Sequence, residues 1–157
     1  MIYVIQTKPN REFDLLKELE RVGVKAFAPS ENRKIRYRGK WHTQNTLIFS
    51  GYVFVDLKYS PELFHEIHKL TGFIRFLGSP SPLSMTETEQ IKWLCNNGKP
   101  IETSHYRLEN GKVVFVDGVV LRLQHLITSF CLRQHRVKLR LTINGRSFNV
   151  SLPVEKI

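Results

Sequence analysis

The chain has 157 residues, of which 41% are hydrophobic, with 24 Lys and Arg against 14 Asp and Glu. That length buries one moderate core or two small ones, and no apolar run approaches the roughly 20 residues of a membrane-spanning helix. A net charge of +10 with a pI near 9.9 favours a polyanionic partner, because clustered cations release condensed counterions on meeting phosphates. The bland alternative is a solubilising surface. Clustering argues against it: the segment 110–157 carries eight Lys and Arg against Asp117 and Glu155, six of the ten net charges. Cys95 and Cys131 are far apart in sequence and are expected as two reduced thiols. Met1-Ile2-Tyr3 opens in strand-like sequence rather than a basic, then apolar leader, so a cytoplasmic location without a membrane role is expected.

In chain order, residues 2–7 read as a strand, and Asn10 is the expected N-cap of a helix with Phe13, Leu16, Leu19 and Val22 on one stripe, ended by Gly23. A short strand at 25–28 leads into a hairpin, 33–37 and 41–49, with Arg38-Gly39-Lys40 as its loop. Residues 52–57 are strongly β-prone. Ser60-Pro61 starts a second helix with Leu63, Phe64, Ile67 and Leu70 as its stripe, and Gly72 is expected as a left-handed C-terminal residue. A strand at 73–77 is broken by Gly78-Ser79-Pro80-Ser81-Pro82. Ser84 with Glu87 then forms a capping box opening a third helix, with Met85, Ile91, Leu94 and Cys95 inward.

Residues 99–109 contain Pro100 and mostly polar residues without a period, which predicts a linker between a domain at 1–98 and another at 110–157. Beyond the linker only strands are expected. Arg136, Val137, Lys138, Leu139, Arg140, Leu141, Thr142 and Ile143 alternate, so one strand presents cations on one face and aliphatics on the other. Asn144-Gly145 suits a two-residue hairpin turn, and Phe148, Val150 and Leu152 recur at period two on the return strand. Cations two residues apart stand about 7 Å apart, close to the phosphate spacing of a folded nucleic-acid backbone.

Three stretches in order, residues 2–9 (Ile-Tyr-Val-Ile-Gln-Thr-Lys-Pro), 49–55 (Phe-Ser-Gly-Tyr-Val-Phe-Val) and 71–78 (Thr-Gly-Phe-Ile-Arg-Phe-Leu-Gly), the last followed by Pro80 and Pro82-Leu83-Ser84, resemble the NusG family of transcription elongation factors. The implied fold is α+β: an N-terminal α/β NGN-like domain, an antiparallel sheet with flanking helices, followed by a small all-β KOW-like (SH3-like) barrel. Residues 111–118 (Gly-Lys-Val-Val-Phe-Val-Asp-Gly) begin a KOW pattern, which then departs from the family's Pro and glycines with Val119, Arg122 and His125. That departure implies a rearranged first hairpin. Together with the charge it makes the chain look like a specialised paralog, similar to the LoaP branch, which is associated with RNA hairpins. In RfaH-like members the C-terminal domain has an α-helical form; here the β-branched alternation predicts a stable β form.

The resemblance implies a transcription elongation and antitermination factor. It implies RNA polymerase as a partner through its clamp helices, with Tyr52 and Phe54 on the contacting motif, and upstream DNA near Lys8, Arg11 and Arg21. The basic hairpin, with Arg33, Lys34, Arg36, Arg38 and Lys40 among Tyr37 and Trp41, joins phosphate contacts to rings on which a base stacks. On the barrel, Arg122, Arg133, Arg136, Lys138 and Arg140, with His125, His135 and Arg146 nearby, are the expected contacts to nascent RNA, a hairpin gripped by shape. A ribosomal protein or Rho stays open as a further partner of the barrel, as does a ribosome-associated RNA-binding module with no polymerase role. An RfaH-type His-Thr-Thr motif is absent at Leu63-Phe64-His65. His65 and His68 with Glu62 and Glu66 are too thin a set for a metal, and no catalytic constellation is visible, so a monomeric non-enzyme without cofactor or metal is expected.

Overall fold

A computed structural model describes residues 1–78 and 80–157; Ser79, in the predicted break after the sixth strand, lies outside the described residues. The chain divides into two compact units, Met1–Ala28 with Phe49–Glu89, and Pro29–Ile48 with Gln90–Ile157. This division differs from the one the sequence predicts, because the charged hairpin groups with the C-terminal half.

The first unit is built on a four-stranded sheet. Its strands are β1 (Ile2–Thr7), β2 (Lys25–Phe27), β5 (Tyr52–Asp56) and β6 (Phe73–Phe76), in the order β2-β5-β1-β6 with antiparallel β1–β5, β1–β6 and β2–β5 pairs. Helices α1 (Glu12–Arg21) and α2 (Pro61–His68) contribute Leu15, Leu19, Phe64 and Ile67 to a core with Tyr3, Ile5, Val53 and Val55. Ser60 Oγ accepts from the Leu63 amide at 3.3 Å, the cap that Ser60-Pro61 predicts.

The inward face of α1 is rotated from the predicted stripe. Leu15 and Leu19 are buried while Phe13 and Val22 are 50% and 38% exposed, because a ladder of threes drifts around a helix of 3.6 residues per turn. Arg11 occupies the N-cap position expected of Asn10, which instead takes a positive φ of 61°. Gly72 does not need a left-handed backbone. It sits against α1, where an added Cβ would meet the Leu15 Cβ at 3.3 Å.

Helix α3 (Met85–Cys95) starts with the predicted reciprocal box: the Ser84 amide donates to Glu87 Oε1 at 2.9 Å and the Glu87 amide to Ser84 Oγ at 3.2 Å. Ile91 and Leu94 are buried, but Met85 is exposed.

In the second unit, β3 (Ser30–Tyr37) and β4 (Lys40–Leu47) form a two-stranded ribbon. A curled sheet of five strands follows: β7 (Ser104–Glu109), β8 (Lys112–Phe115), β9 (Ile127–Cys131), β10 (Arg136–Ile143) and β11 (Arg146–Lys156), ordered β8-β7-β11-β10-β9. The predicted Asn144-Gly145 turn takes φ values of 50° and 77° and joins β10 to β11 in full antiparallel register. The C-terminal strands thus take the expected β form. The residues expected as a linker are partly structured, since β7 pairs in parallel with β11 and Ile101 is buried. Composition hid this strand, whose few apolar positions are fixed by partners distant in sequence.

The C-terminal segment is not all strand. Helix α4 (Gly118–Leu123) replaces the expected rearranged hairpin, burying Val120 and Leu123 although its β-branched sequence has low helix propensity. The buried Ser104 hydroxyl accepts from the Val120 amide at 3.1 Å, and Asp117 accepts from the His105 amide at 2.8 Å, which holds its carboxyl below the usual range. Gly118 is required here: its φ is 82°, and an added Cβ would lie 2.6 Å from the Ser104 Cβ. Gly118→Ala is expected to destabilise the protein by at least about 1–3 kcal/mol, the scale of backbone strain alone, as read by a lowered urea midpoint.

Candidate functional site

Strand β10 places its side chains as the alternation requires. Val137, Leu139, Leu141 and Ile143 are buried, whereas Lys138 and Arg140 are exposed. Their cross-strand partners are small and polar: Lys138 stands opposite Ser151 on β11 and Ser129 on β9, and Arg140 opposite Asn149. Directly paired residues share a face, so the outer surface is cationic over a floor of hydroxyls and an amide. Arg146 lies over the Phe148 ring at 5.9 Å, on the same hairpin.

Arg136 departs from the expectation of a free phosphate ligand. Its side chain is 12% exposed and makes a bidentate pair with Glu31 of β3, Nη1 donating to Oε1 and Nη2 to Oε2, each at 2.7 Å. Nε donates to Ser151 Oγ, and Nη2 also to the Ser151 carbonyl, each at 2.7 Å. Sequence reading placed Arg136 correctly on the basic face but had no signal for the acid, 105 residues away, that neutralises it. Arg33 Nε approaches the same carboxylate at 3.6 Å. The main chain reinforces this junction through the Ile101 amide donating to the Ser30 carbonyl at 2.8 Å and a parallel bridge between Glu31 and Ile101.

The ribbon presents the other predicted cations. Arg33, Lys34, Arg36, Arg38 and Lys40 are exposed, with Arg36 over Trp41 at 5.9 Å and Arg38 over Tyr37 at 5.2 Å. Arg122, on α4, lies 5.3 Å over the Trp93 ring, and Arg133 is exposed in the 3-10 turn Leu132–Gln134. His125 and His135 are also exposed, the latter with a left-handed φ of 58°.

In the first unit, Lys8 and Arg11 are adjacent at the start of α1, and Arg11 and Arg21 line one depression of about 290 Å³. Asp14 and Glu18 share it, and Arg11 pairs with Asp14 at 3.1 Å, so the cluster is more mixed in sign than its cations alone suggest. The two predicted aromatics separate. Tyr52 is half-buried, whereas Phe54 is fully buried, stacked on Phe27 at 5.7 Å and edge-on to Phe49 at 5.4 Å. Phe54 therefore supports this surface as core rather than offering an open contact. Sequence reading missed the strut beneath it: the buried Glu12 carboxylate accepts from the Gly51 amide at 3.1 Å, fixing the turn that enters β5.

Among the described residues no group of three or more His, Cys, Asp or Glu is arranged to hold a metal ion. His68 instead donates from Nδ1 to the Phe64 carbonyl at 2.6 Å. Cys95 and Cys131 are free, and no helix is long and apolar enough to cross a membrane among those residues.

An antiparallel sheet flanked by helices, followed by a curled five-stranded sheet with one cationic face, defines an NGN plus KOW protein. The family model for transcription termination factor NusG matches residues 2–92, and the chain belongs to the NusG family. It is 25% identical to the transcription termination/antitermination protein NusG of Helicobacter pylori (strain J99), across 99% of this chain and 97% of that protein. The protein of the same name from Chlamydia trachomatis is also 25% identical, over 94% of this chain and 88% of its own length. A solved structure of Thermotoga maritima NusG, described for its domain interaction, shares the fold with a TM-score of 0.59 at 21% identity, covering 97% of this chain and 92% of that one.

The Glu31–Arg136 pair generates a stability prediction. Arg136→Ala leaves a buried carboxylate with only the longer Arg33 contact and is expected to cost about 3–5 kcal/mol, whereas Glu31→Leu with Arg136→Met is expected to recover most of that stability. Urea denaturation of the three chains checks both.

Proposed function

We infer that the protein is a transcription termination/antitermination factor that acts without catalysis, holding RNA polymerase through its first unit and nascent RNA through the cationic face of its curled sheet. Family membership supports the polymerase half. The observation that carries the RNA half is the exposed pair Lys138 and Arg140 over Ser129, Ser151 and Asn149, a surface where phosphates meet cations and hydroxyl or amide groups without an opposing carboxylate. A hairpin RNA fits this chemistry because a duplex presents phosphates in a regular array while its deep major groove hides the base edges. The LoaP-like reading rests on the same charge and on α4, which stands where the KOW pattern departs from its usual glycines. Arg122 and Arg133 are the candidates for discriminating contacts, and Lys8, Arg11 and Arg21 for upstream DNA. Simultaneous attachment to polymerase and transcript biases the elongation complex by differential binding, favouring whichever state both contacts fit.

The full-length Lys138→Ala, Arg140→Ala double variant tests the RNA contact. Affinity for a hairpin RNA is expected to fall, and the slope of log K against log salt to shrink by about 0.7–0.9 for each phosphate no longer neutralised. Arg136 is left intact so that the pair with Glu31 does not confound the reading. An unchanged slope makes the cationic face a solubilising surface.

Tyr52→Ala tests the polymerase contact while keeping the buried Phe54. Binding to the clamp helices is expected to weaken by at least about tenfold, the scale of an interface hot spot, with hairpin RNA affinity unchanged. Retention of full clamp affinity in a folded variant removes Tyr52 from the contact, and a wild-type chain that binds RNA but captures no polymerase favours the ribosome-associated reading.

A further inference from the structure

The β3–β4 ribbon exposes rings that folded proteins ordinarily cover. Trp41 is 67% exposed and Tyr37 58%. Register places Trp41 directly opposite Arg36, and Lys34 opposite Thr43, on one face of the ribbon. Trp41 and Lys34 both line two depressions of the second unit. One, of about 320 Å³, is completed by His42 and Thr43. The other, of about 470 Å³, also takes in Arg33 on the ribbon and His135 and Glu155 from the C-terminal segment.

The larger groove has a fixed wall. Glu31 and Arg136 line it and are locked to each other, and Arg136 is further held by Ser151. Glu31 is shared between Arg136 and Arg33, so those three side chains carry one net positive charge, and Lys34 adds a second beside the indole. Glu155, the acid left in the lining, stands 4.0 Å from His105 Nε2. An exposed indole flanked by cations, in a groove whose geometry is set by a buried ion pair, has the two features that recognise an unpaired nucleotide: a flat π-face for the base and fixed positive charge for the phosphates. A duplex, whose bases are already stacked, does not use the indole.

We propose that this groove binds unpaired nucleotides of a single nucleic-acid strand, with a base stacked on Trp41 and its flanking phosphates held by Lys34 and Arg36, which share the ring's face of the ribbon. The site rests on the nucleic-acid reading above but uses different residues and a different state of the strand. Stacking tolerates any base, so the site reads strandedness rather than sequence. The pair between Glu31 and Arg136 acts as a positioning element, setting the ribbon against the C-terminal segment so that Trp41 and Lys34 line one groove with it.

The test uses the full-length chain and fluorescein-labelled U10 RNA and T10 DNA, whose pyrimidines stack weakly on one another, with a hairpin RNA titrated in parallel. Wild type is expected to bind the single strands, and the tighter of the two identifies the source of the strand as transcript or melted DNA. Trp41→Ala is expected to weaken single-strand binding by about tenfold or more while leaving the hairpin RNA within about twofold, and Trp41→Phe, which keeps a ring, to stay close to wild type. Lys34→Ala should lower the salt slope for U10 by about 0.7. A wild type that binds the hairpin but neither single strand, or a folded Trp41→Ala chain that binds them as wild type does, overturns the groove and leaves the proposed function standing. A wild type that binds none of the three probes overturns both.

Discussion

The buried pair between Glu31 and Arg136 is the constraint on which the second unit depends. A carboxylate 5% exposed and a guanidinium 12% exposed are costly to remove from water, and their attraction offsets that cost only when the remaining donors and lone pairs are also matched. Here they are: three guanidinium nitrogens find four acceptor contacts at 2.7 Å, and Arg33 adds a second cation to the carboxylate. A pair of this kind contributes little net stability compared with well-packed apolar side chains. Its contribution is geometric, because the planar fork of Arg136 accepts Glu31 in one orientation and so fixes where β3 crosses the C-terminal strands.

That constraint changes the account of the charge. Counted from sequence, β10 carries three equivalent cations. In the fold one of them is internal and the other two face outward beside serines and an asparagine. Similar sorting applies in the first unit, where Arg11 is paired with Asp14. A net charge of +10 therefore overstates the number of side chains available to phosphates, and Lys138 and Arg140 on β10 with Lys34, Arg36, Arg38 and Lys40 on the ribbon are among those that remain exposed.

What sequence made legible follows the range of the interactions involved. The capping box of Ser84 and Glu87, the Ser60-Pro61 helix start, the Asn144-Gly145 turn and the alternation of β10 are all local, and each forms as its residues predict. Tyr52 and Phe54, two residues apart on one strand, fall in different environments because Phe27 and Phe49 close over Phe54. Helix α4 and strand β7 were illegible for a related reason: the Ser104 hydroxyl and the parallel pairing with β11 define them, and neither leaves a periodic trace in the sequence. The stripe of α1 was misread at close range, since a ladder of threes resembles a helical face over one turn and departs from it over three.

The two nucleic-acid surfaces proposed for the second unit differ in kind. On β10, charge sits over small polar residues with no ring directly opposite it, which suits the regular phosphates of a duplex but gives an unpaired base little to stack on. On the ribbon, charge sits beside Trp41 and Tyr37, which carry Arg36 and Arg38 over their rings and still leave more than half of their surface exposed to a flat partner. Arg136 belongs to the strand of the first surface and lines the groove of the second, so the ion pair with Glu31 stands between the two. A transcript that folds into a hairpin with an unpaired flank would satisfy both at once, and the second contact would then be intramolecular, so that its strength depends on the length of the flank more than on its sequence.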